Sequence, residues 1–245
     1  MRTSTDNCGC FPTGRHYAGI AHLLRAIVRG LVEDLAQDGA WRDHPIALID
    51  VETTGRDSST DRVIEVGIAL GRGGVVVARY NWLINPGGPI SPESTAVHGI
   101  KDEDVKDSPS FAEIAHEIAQ ALAGTIPAAY NAGFDRAFML AEFGRTGHAF
   151  PKNAALTQGT EWIDPLVWAR ELQREEKSRA LGDVAQRLGV ALENAHRASE
   201  DAEAALLVLY KLGEDARIPT SYGGLVQEQR RLGLAQADER RFWKS

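Results

Sequence analysis

Four carboxylates and one histidine of this chain lie in three short motifs whose residue types suit metal-dependent hydrolysis. The motifs are Asp50–Gly55, Tyr130–Asp135 and His196–Ala202. Hydrolysis of a phosphodiester needs an activated water, and it needs compensation for negative charge on the phosphoryl group and the leaving oxygen. Two divalent ions about 3.5–4 Å apart can supply all of this. Because Mg²⁺ prefers hard oxygen ligands, a few carboxylates suffice to bind it. We therefore expect a site for two Mg²⁺ ions, for which Mn²⁺ can substitute.

The first motif follows a short apolar run, Ile46–Val51, which predicts a buried strand. Asp50 and Glu52 are two residues apart at the end of this strand, so their side chains should project from the same face. The turn at Thr53-Thr54-Gly55 then leaves backbone N–H groups near the two acids. An Asp-x-Glu pair is weak evidence alone, and its place at the end of a buried strand strengthens it.

The acid of the second motif, Asp135, follows another short apolar run, Ile126–Tyr130, and opens the next helix. A carboxylate at a helix start commonly caps that helix, because the first N–H groups have no partner within the helix. Capping is therefore the alternative to a role of Asp135 in metal binding.

The third motif places His196 five residues before Asp201. If Ser199 caps a helix, Asp201 lies in the first turn and His196 lies on the preceding loop. An unperturbed histidine has a pKa near about 6.5, which suits a general base that deprotonates water. A surface histidine without a catalytic role is the alternative.

The elements around these motifs predict an α/β domain with a mixed sheet covered by helices. Two further strands are expected around Val63–Leu70 and Val75–Ile84, joined by a glycine-rich hairpin turn at 71–74. Helical periodicity is expected over five later segments: Phe111–Leu122, Phe134–Gly144, Pro165–Glu171, Arg179–Leu188 and Ser199–Leu212. The last thirty residues are polar and Arg-rich, which fits either a helical extension or a partly disordered tail.

An amphipathic helix is predicted from Tyr17 to Gln37, with one apolar stripe from Ile20 to Leu35. This stripe could pack on the protein's own core, form a homodimer, or bind another protein. A helix lying on a membrane surface is less favoured, because the polar face mixes both charge signs.

The composition of the chain excludes several classes of protein and site. The chain has 245 residues and a formal net charge of −7, which argues against a protein that coats long nucleic acid. The two cysteines, Cys8 and Cys10, lack companions at zinc spacing, and a cytoplasmic setting is expected. No run of about 18 apolar residues occurs, so we expect no membrane span.

The order and spacing of the five residues resemble the DEDDh branch of the DnaQ-like 3′→5′ exonucleases, whose name gives its four acids and its histidine. The sister branch has a tyrosine four residues before the last acid, where this chain has Arg197. Tyr130 departs from the His that many members carry. Further stretches look like this family: Asn85-Pro86-Gly87, Ile90–Glu93, Val97–Ile100, Leu181, Leu188-Gly189 and Ala202.

The resemblance implies an RNase H-like fold, a mixed central β-sheet flanked by α-helices, to which the N-terminal amphipathic helix is an addition. It divides the chain into three parts: 1–44, the tail and amphipathic helix; 45–213, the exonuclease domain; and 214–245, the polar Arg-rich extension.

The resemblance also implies residue roles. Asp50, Glu52 and Asp201 would hold the ion that binds the attacking water, with Asp50 bridging to the second ion. Asp135 would help position the second ion through water, and His196 would deprotonate the nucleophile. The terminal-nucleotide pocket would be lined by Thr53, His98, Asn131 and Phe134. Core packing is the alternative for Phe134, and Ile90 would wedge between the last two bases.

The activity implied is metal-dependent hydrolysis from the 3′ end of single-stranded nucleic acid, with release of nucleoside 5′-monophosphates. Proofreading-type members, such as the epsilon subunit of bacterial DNA polymerase III, are the most similar, so DNA is favoured over RNA. RNA-trimming relatives share the same five residues. The competing hypotheses are a catalytically silent binding module, recruited through the Ile20–Leu35 stripe, and a phosphoesterase that does not act on nucleic acid.

Overall fold

The sheet at the centre of the protein has both parallel and antiparallel neighbours. The computed structural model describes residues 30–150, 153–192 and 197–242. Its strands are β1 (Ile46–Thr53), β2 (Val63–Arg72), β3 (Val75–Leu83) and β4 (Ile126–Ala128). They lie in the order β3-β2-β1-β4, with β1 antiparallel to β2, β2 antiparallel to β3, and β1 parallel to β4. The predicted mixed sheet is therefore confirmed.

Helices flank this sheet. They are α1 (Pro92–His98), α2 (Asp102–Val105), α3 (Phe111–Leu122), α4 (Gly133–Arg145), α5 (Pro165–Leu172), α6 (Leu181–Arg187), α7 (Ala198–Leu212) and α8 (Tyr222–Phe242). The five predicted helices are present as α3 to α7, and the bounds of α3 agree with the prediction. Neither α1 nor α2 was expected. The signal for α1 is nevertheless in the sequence, because Ser91 caps the helix through a bond from Ser94 N and Pro92 occupies the first turn.

Alternation along β1 separates two apolar layers. Ile46 and Leu48 lie in the core on the α7 side, whereas Ala47, Ile49 and Val51 lie in the core on the side of α3 and α4. Because side chains of a strand alternate between faces, the next residues on the α7 side are Asp50 and Glu52. Hydrophobic patterning thus decides which layer receives the two acids.

The predicted N-terminal helix, Tyr17–Gln37, is wrong over its last residues. Residues 30–39 form turns and bends, and residues 1–29 lie outside the described part of the chain. Gly30 has a φ of +88°, which a continuing right-handed helix cannot contain. Leu31 and Val32 are buried in the chain's own core. They therefore cannot face a partner, and the proposed docking role of the Ile20–Leu35 stripe stays a prediction for its remaining residues.

The C-terminal segment forms a long helix, α8, which settles the choice between helix and disordered tail for residues 222–242. Tyr222, Leu225 and Val226 are buried in the same cluster as Leu48 of β1. Within the described residues, buried side chains before residue 45 and after residue 213, among them Leu31 and Val226, therefore share one core with β1. Among the helices that the structure describes, none combines the length and apolar character needed to cross a membrane.

Candidate active site

Three of the predicted acids meet at the carboxyl end of β1. Asp50, Glu52 and Asp201 each offer a carboxylate oxygen, and these oxygens lie within 4.8 Å of one another. The first two come from β1, and the third comes from the first turn of α7. A group of hard oxygen donors at this separation fits a divalent cation.

Asp201 reaches the strand because α7 begins directly above a glycine of β2. A Cβ built on Gly67 would lie 2.1 Å from the carbonyl carbon of Ala198, which no real side chain tolerates. Gly67 is the neighbour of Asp50 across the β1–β2 pair. The missing side chain therefore allows the start of α7 to approach the strand that carries the first two acids.

A buried glutamate of β2, Glu65, holds the start of α7 in this place. Its carboxylate accepts hydrogen bonds from Ala198 N at 3.2 Å and from Arg197 Nη2 at 2.9 Å. A third bond comes from Asn81 Nδ2 of β3 at 2.9 Å. Glu65 has no exposed surface, and it lies opposite Glu52 in the sheet. It ties β2, β3 and α7 together beside the acidic cluster.

The acids destabilise one another's charged forms when no cation is present. Burial, followed by the charges of Asp135 and Glu52, raises the pKa of Asp50 well above its usual value. Burial and the charge of Asp201 raise the pKa of Glu52 to about 8, against a smaller opposing effect of Arg197. A bound cation would reverse these shifts, because it favours the ionised carboxylates.

The fourth acid, Asp135, lies beside this cluster rather than in it. Its Oδ1 atom accepts a hydrogen bond from Val51 N at 3.1 Å, at a point where β1 has passed its last residue paired with β4. Burial raises the pKa of Asp135 to about 7, partly offset by this bond and by one from its own N–H. The carboxylate therefore ties the start of α4 to β1, and its predicted contact with a second ion stays a prediction.

His196 lies outside the described residues. The neighbouring Arg197 is the N-cap residue of α7, and the helix begins at Ala198. Ser199 is therefore inside the helix, and the prediction that it caps α7 is wrong by two positions. Asp201 is in the first turn, as that prediction required. The reason for the early start is Glu65, whose carboxylate binds the N–H of Ala198 in place of a local cap.

Two of the predicted pocket residues support each other at the end of β1. The ring Nε2 of His98 donates to the carbonyl oxygen of Thr53 at 3.3 Å, and its Nδ1 accepts from Ile100 N at 3.0 Å. The Thr53 hydroxyl donates to the carbonyl oxygen of Gly55 at 2.6 Å. Both side chains are buried, so they brace the first motif, and their contact with a nucleotide stays a prediction.

The other predicted pocket residues differ in exposure. Asn131 is exposed and has a φ of +72°, a left-handed conformation that asparagine tolerates better than most residues. Phe134 is half-buried, with its ring centroid 4.8 Å from that of Phe138, so it contributes to core packing. Ile90 is buried in a small cluster with Ile64 and Ile100, and it presents no wedge to solvent in this structure.

The turn of the second motif depends on an aspartate that sequence reasoning missed. Asp164 accepts hydrogen bonds from Asn131 N at 2.9 Å, Ala132 N at 3.1 Å and Leu166 N at 2.9 Å. It is the N-cap of α5, and Pro165 occupies the first turn of that helix. An Asp-Pro pair at a helix start is a recognisable capping signal. Glu65 was also recognisable from the sequence, because it is an acid within the apolar strand β2.

Comparison with known proteins identifies the class of enzyme. A family model described as "Exonuclease" matches residues 47–209, which is more than half of the chain. The chain therefore belongs to this exonuclease family, and the resemblance to the DnaQ-like 3′→5′ exonucleases is confirmed.

Relatives of known sequence include DNA polymerase III PolC-type from Streptococcus pneumoniae, 37% identical over 216 residues. The match covers 85% of this chain and 14% of that relative. The corresponding protein of Streptococcus suis is 31% identical over 222 residues, which covers 87% of this chain and 15% of the relative. The chain thus spans about a seventh of the length of these relatives.

Solved structures share the fold. Exonuclease X in complex with 5′ overhanging duplex DNA superposes with a TM-score of 0.58 at 21% identity, covering 75% of this chain and 99% of that chain. Exonuclease I superposes with a TM-score of 0.62 at 19% identity, covering 71% of this chain and 41% of that chain. At these identities the likeness supports the RNase H-like fold alone.

Proposed function

We propose that this protein removes nucleotides from the 3′ end of single-stranded DNA and releases nucleoside 5′-monophosphates, using two Mg²⁺ ions. The observation that carries the proposal is the convergence of carboxylate oxygens from Asp50, Glu52 and Asp201 within 4.8 Å. When bound, the ions would neutralise charge on the phosphoryl group and lower the pKa of the attacking water. Mn²⁺ is expected to replace Mg²⁺, because both take oxygen ligands.

The protein's own residues would do the rest. Asp50, Glu52 and Asp201, with their carboxylates ionised, would hold the ions. Asp135 would hold β1 and α4 at a fixed separation beside these acids. His196 would accept a proton from the attacking water. The water oxygen would then bond to phosphorus, the bond from phosphorus to O3′ would break, and the O3′ atom would take up a proton.

DNA is favoured over RNA as the substrate for two reasons. The relatives that match most of this chain are named as DNA polymerases of the PolC type. Two structural neighbours are complexes with DNA: exonuclease X with a 5′ overhanging duplex, and exonuclease I with a dA16 oligonucleotide. A role in proofreading or repair would follow from that preference.

A gel assay with 5′-labelled single-stranded DNA and RNA of matched sequence tests the proposal. Reactions contain Mg²⁺, Mn²⁺ or EDTA, and the variants are Asp50→Ala and Asp107→Ala. Asp107 is an exposed acid whose weak pairing with Lys106 lies at 3.9 Å, so it controls for loss of one carboxylate. We expect a metal-dependent ladder that shortens from the 3′ end, persists in Asp107→Ala and is lost in Asp50→Ala.

Other outcomes would change the conclusion. Faster shortening of RNA than of DNA would move the substrate to RNA and keep the chemistry. No shortening of either substrate would favour the silent binding module. Normal activity of Asp50→Ala would contradict the metal assignment, whatever the substrate.

A further inference from the structure

One side chain of the C-terminal helix completes the edge of the central sheet. Beyond β4, Ile163 pairs with Ala128 as a parallel neighbour. Ile163 N donates to Pro127 O at 2.9 Å, and Ile163 O accepts from Ala129 N at 3.0 Å. Since backbone groups alternate in direction along an extended chain, the flanking groups Trp162 O and Asp164 N point away from β4.

Gln229 of α8 binds both of these outward groups. Its Oε1 atom accepts a hydrogen bond from Asp164 N at 2.8 Å, and its Nε2 atom donates to Trp162 O at 2.8 Å. The side chain is 4% exposed. A carboxamide carries one acceptor and one donor group side by side, so it can replace the backbone of an additional strand here.

Asp164 connects this contact to the acidic cluster. Gln229 binds the backbone of Asp164. The side chain of Asp164 in turn accepts hydrogen bonds of 2.9 and 3.1 Å from the turn Asn131-Ala132. This turn contains the left-handed conformation of Asn131 and immediately precedes α4. Asp135 lies in the first turn of α4 and binds Val51 of β1. A chain of direct contacts therefore runs from α8 to the strand that carries Asp50 and Glu52.

We propose that Gln229 is a positioning residue for the nuclease site and that it acts through Asp164 on the turn before Asp135. The inference rests on the proposed function for its kinetic consequence. Gln229 belongs to the C-terminal helix, which lies outside the matched family region, residues 47–209. The helix would therefore contribute a residue to the site from beyond that region. Because Asn131 of this turn is predicted to line the nucleotide pocket, loosening of Gln229 should disturb both the position of Asp135 and that pocket.

Gln229→Leu tests this contact with little change in volume. Gln229 and Asp164 line a cavity of about 490 Å³, so a smaller replacement would admit water that could satisfy Trp162 O and Asp164 N. Leucine fills the space and offers no polar atom. Gln229→Glu is the second variant, because it keeps an acceptor for Asp164 N while its ionised form loses the donor to Trp162 O.

The same helix offers a matched control. Gln236 donates through Nε2 to Val167 O at 2.9 Å, so Gln236→Leu also removes an anchor of α8 and leaves Asp164 untouched. Each variant is assayed for kcat and KM with single-stranded DNA at saturating Mn²⁺, well below its melting temperature. Hydrogen exchange of peptides that cover residues 128–135 reports on the turn without reference to activity.

We expect Gln229→Leu to lower kcat/KM about tenfold and to speed exchange across residues 128–135. Gln229→Glu should show a loss of the same kind, because its ionised carboxylate gives Trp162 O no donor. Gln236→Leu should stay within about twofold of the parent in both readouts. Asp164→Asn combined with Gln229→Leu should lose little more than Asp164→Asn alone, because the two residues act in series.

Three results would overturn the proposal. One is unchanged exchange of residues 128–135 in Gln229→Leu. Another is an equal loss in Gln236→Leu, which would show that general docking of α8 is what matters. The third is full additivity of the double variant. Inactivity of the parent protein would count against the proposed function instead, and the exchange experiment would still decide the role of Gln229.

Discussion

The acids of β1 and the acids of the helices reach the carboxyl end of β1 in different ways. Asp50 and Glu52 need only the alternation of one strand, whose neighbouring side chains are fixed by apolar layers above and below. Asp135 and Asp201 come from α4 and α7, whose starts are held by Asp164 and Glu65 from elsewhere in the chain. The strand acids are therefore positioned locally, whereas the helix acids depend on buried long-range contacts.

Substitution of the predicted general base, His196, should impair proton transfer without impairing metal binding by the acids. His196→Ala should lower kcat by roughly 10²–10⁴. Because the acids remain, Mn²⁺ binding measured by calorimetry should be nearly unchanged. Asp50→Ala is the reference, since it should lose activity and Mn²⁺ binding together. Equal activity of His196→Ala and the parent at pH 7 would remove this histidine from the mechanism.

Gly67→Ala should break the approach of α7 to β2. The new Cβ would collide with the backbone of Ala198, so α7 must shift and carry Asp201 away from Asp50. We expect the free energy of unfolding to fall by about 1–3 kcal/mol, and kcat to fall by about 10². Melting curves and exonuclease rates measure the two effects.

The control for this substitution is Gly144→Ala. Gly144 is exposed within α4 and has nothing within 4 Å of a built Cβ. The free energy of unfolding of Gly144→Ala should rise by about 0.5–1 kcal/mol, because alanine has a higher helix propensity, and the variant should keep its activity. If Gly67→Ala kept the parent's rate, the close approach of α7 would be irrelevant to the site.

Glu65→Gln should weaken the attachment of α7 to β2, with a smaller effect than Gly67→Ala. The uncharged amide cannot accept all three hydrogen bonds that Glu65 receives, and one of its own donors would face another donor. We expect a loss of about 1–3 kcal/mol in unfolding free energy and about tenfold in kcat. Glu203→Gln is the control, because Glu203 of α7 forms an ion pair with the exposed Arg79 side chain, and its loss should change stability by less than about 1 kcal/mol. A matching loss in kcat from both variants would refute a specific role of Glu65.

The pH dependence of the metal-free protein concerns stability alone and leaves the reaction rate aside. The folded-state pKa values of Glu52, about 8, and Asp135, about 7, are raised above the values of about 4 expected when unfolded. The folded state therefore holds more protons than the unfolded state between these values, and stability must fall as pH rises. In EDTA, the melting temperature should decline from pH 5 to pH 8.

Two comparisons check this explanation. Mn²⁺ should restore the melting temperature at pH 8, because it binds the folded state and favours ionised carboxylates. Asp50→Asn in EDTA should show a flatter decline, because it removes one of the mutually repelling charges. A melting temperature that rises steadily from pH 5 to pH 8 in EDTA would contradict the mutual repulsion of the acids.

The same division explains what the sequence could predict. Strand alternation and apolar runs predicted β1 and the facing of Asp50 and Glu52, because these features are local. Glu65 and Gln229 were missed, since their partners lie 132 and 67 residues away in the chain, at Arg197 and Trp162. The predicted helix failed beyond Gly30, where tertiary burial of Leu31 and Val32 replaces helical periodicity.

Asp50, Glu52 and Asp201 converge at the end of β1, and we expect this group to bind divalent ions. Crystals grown with Mn²⁺ and a nucleoside 5′-monophosphate, measured at the manganese absorption edge, test it most directly. We expect two anomalous peaks about 3.5–4 Å apart, with carboxylate oxygens of these three residues at about 2–2.2 Å. Mn²⁺ bound elsewhere, with no peak next to the three carboxylates, would contradict it.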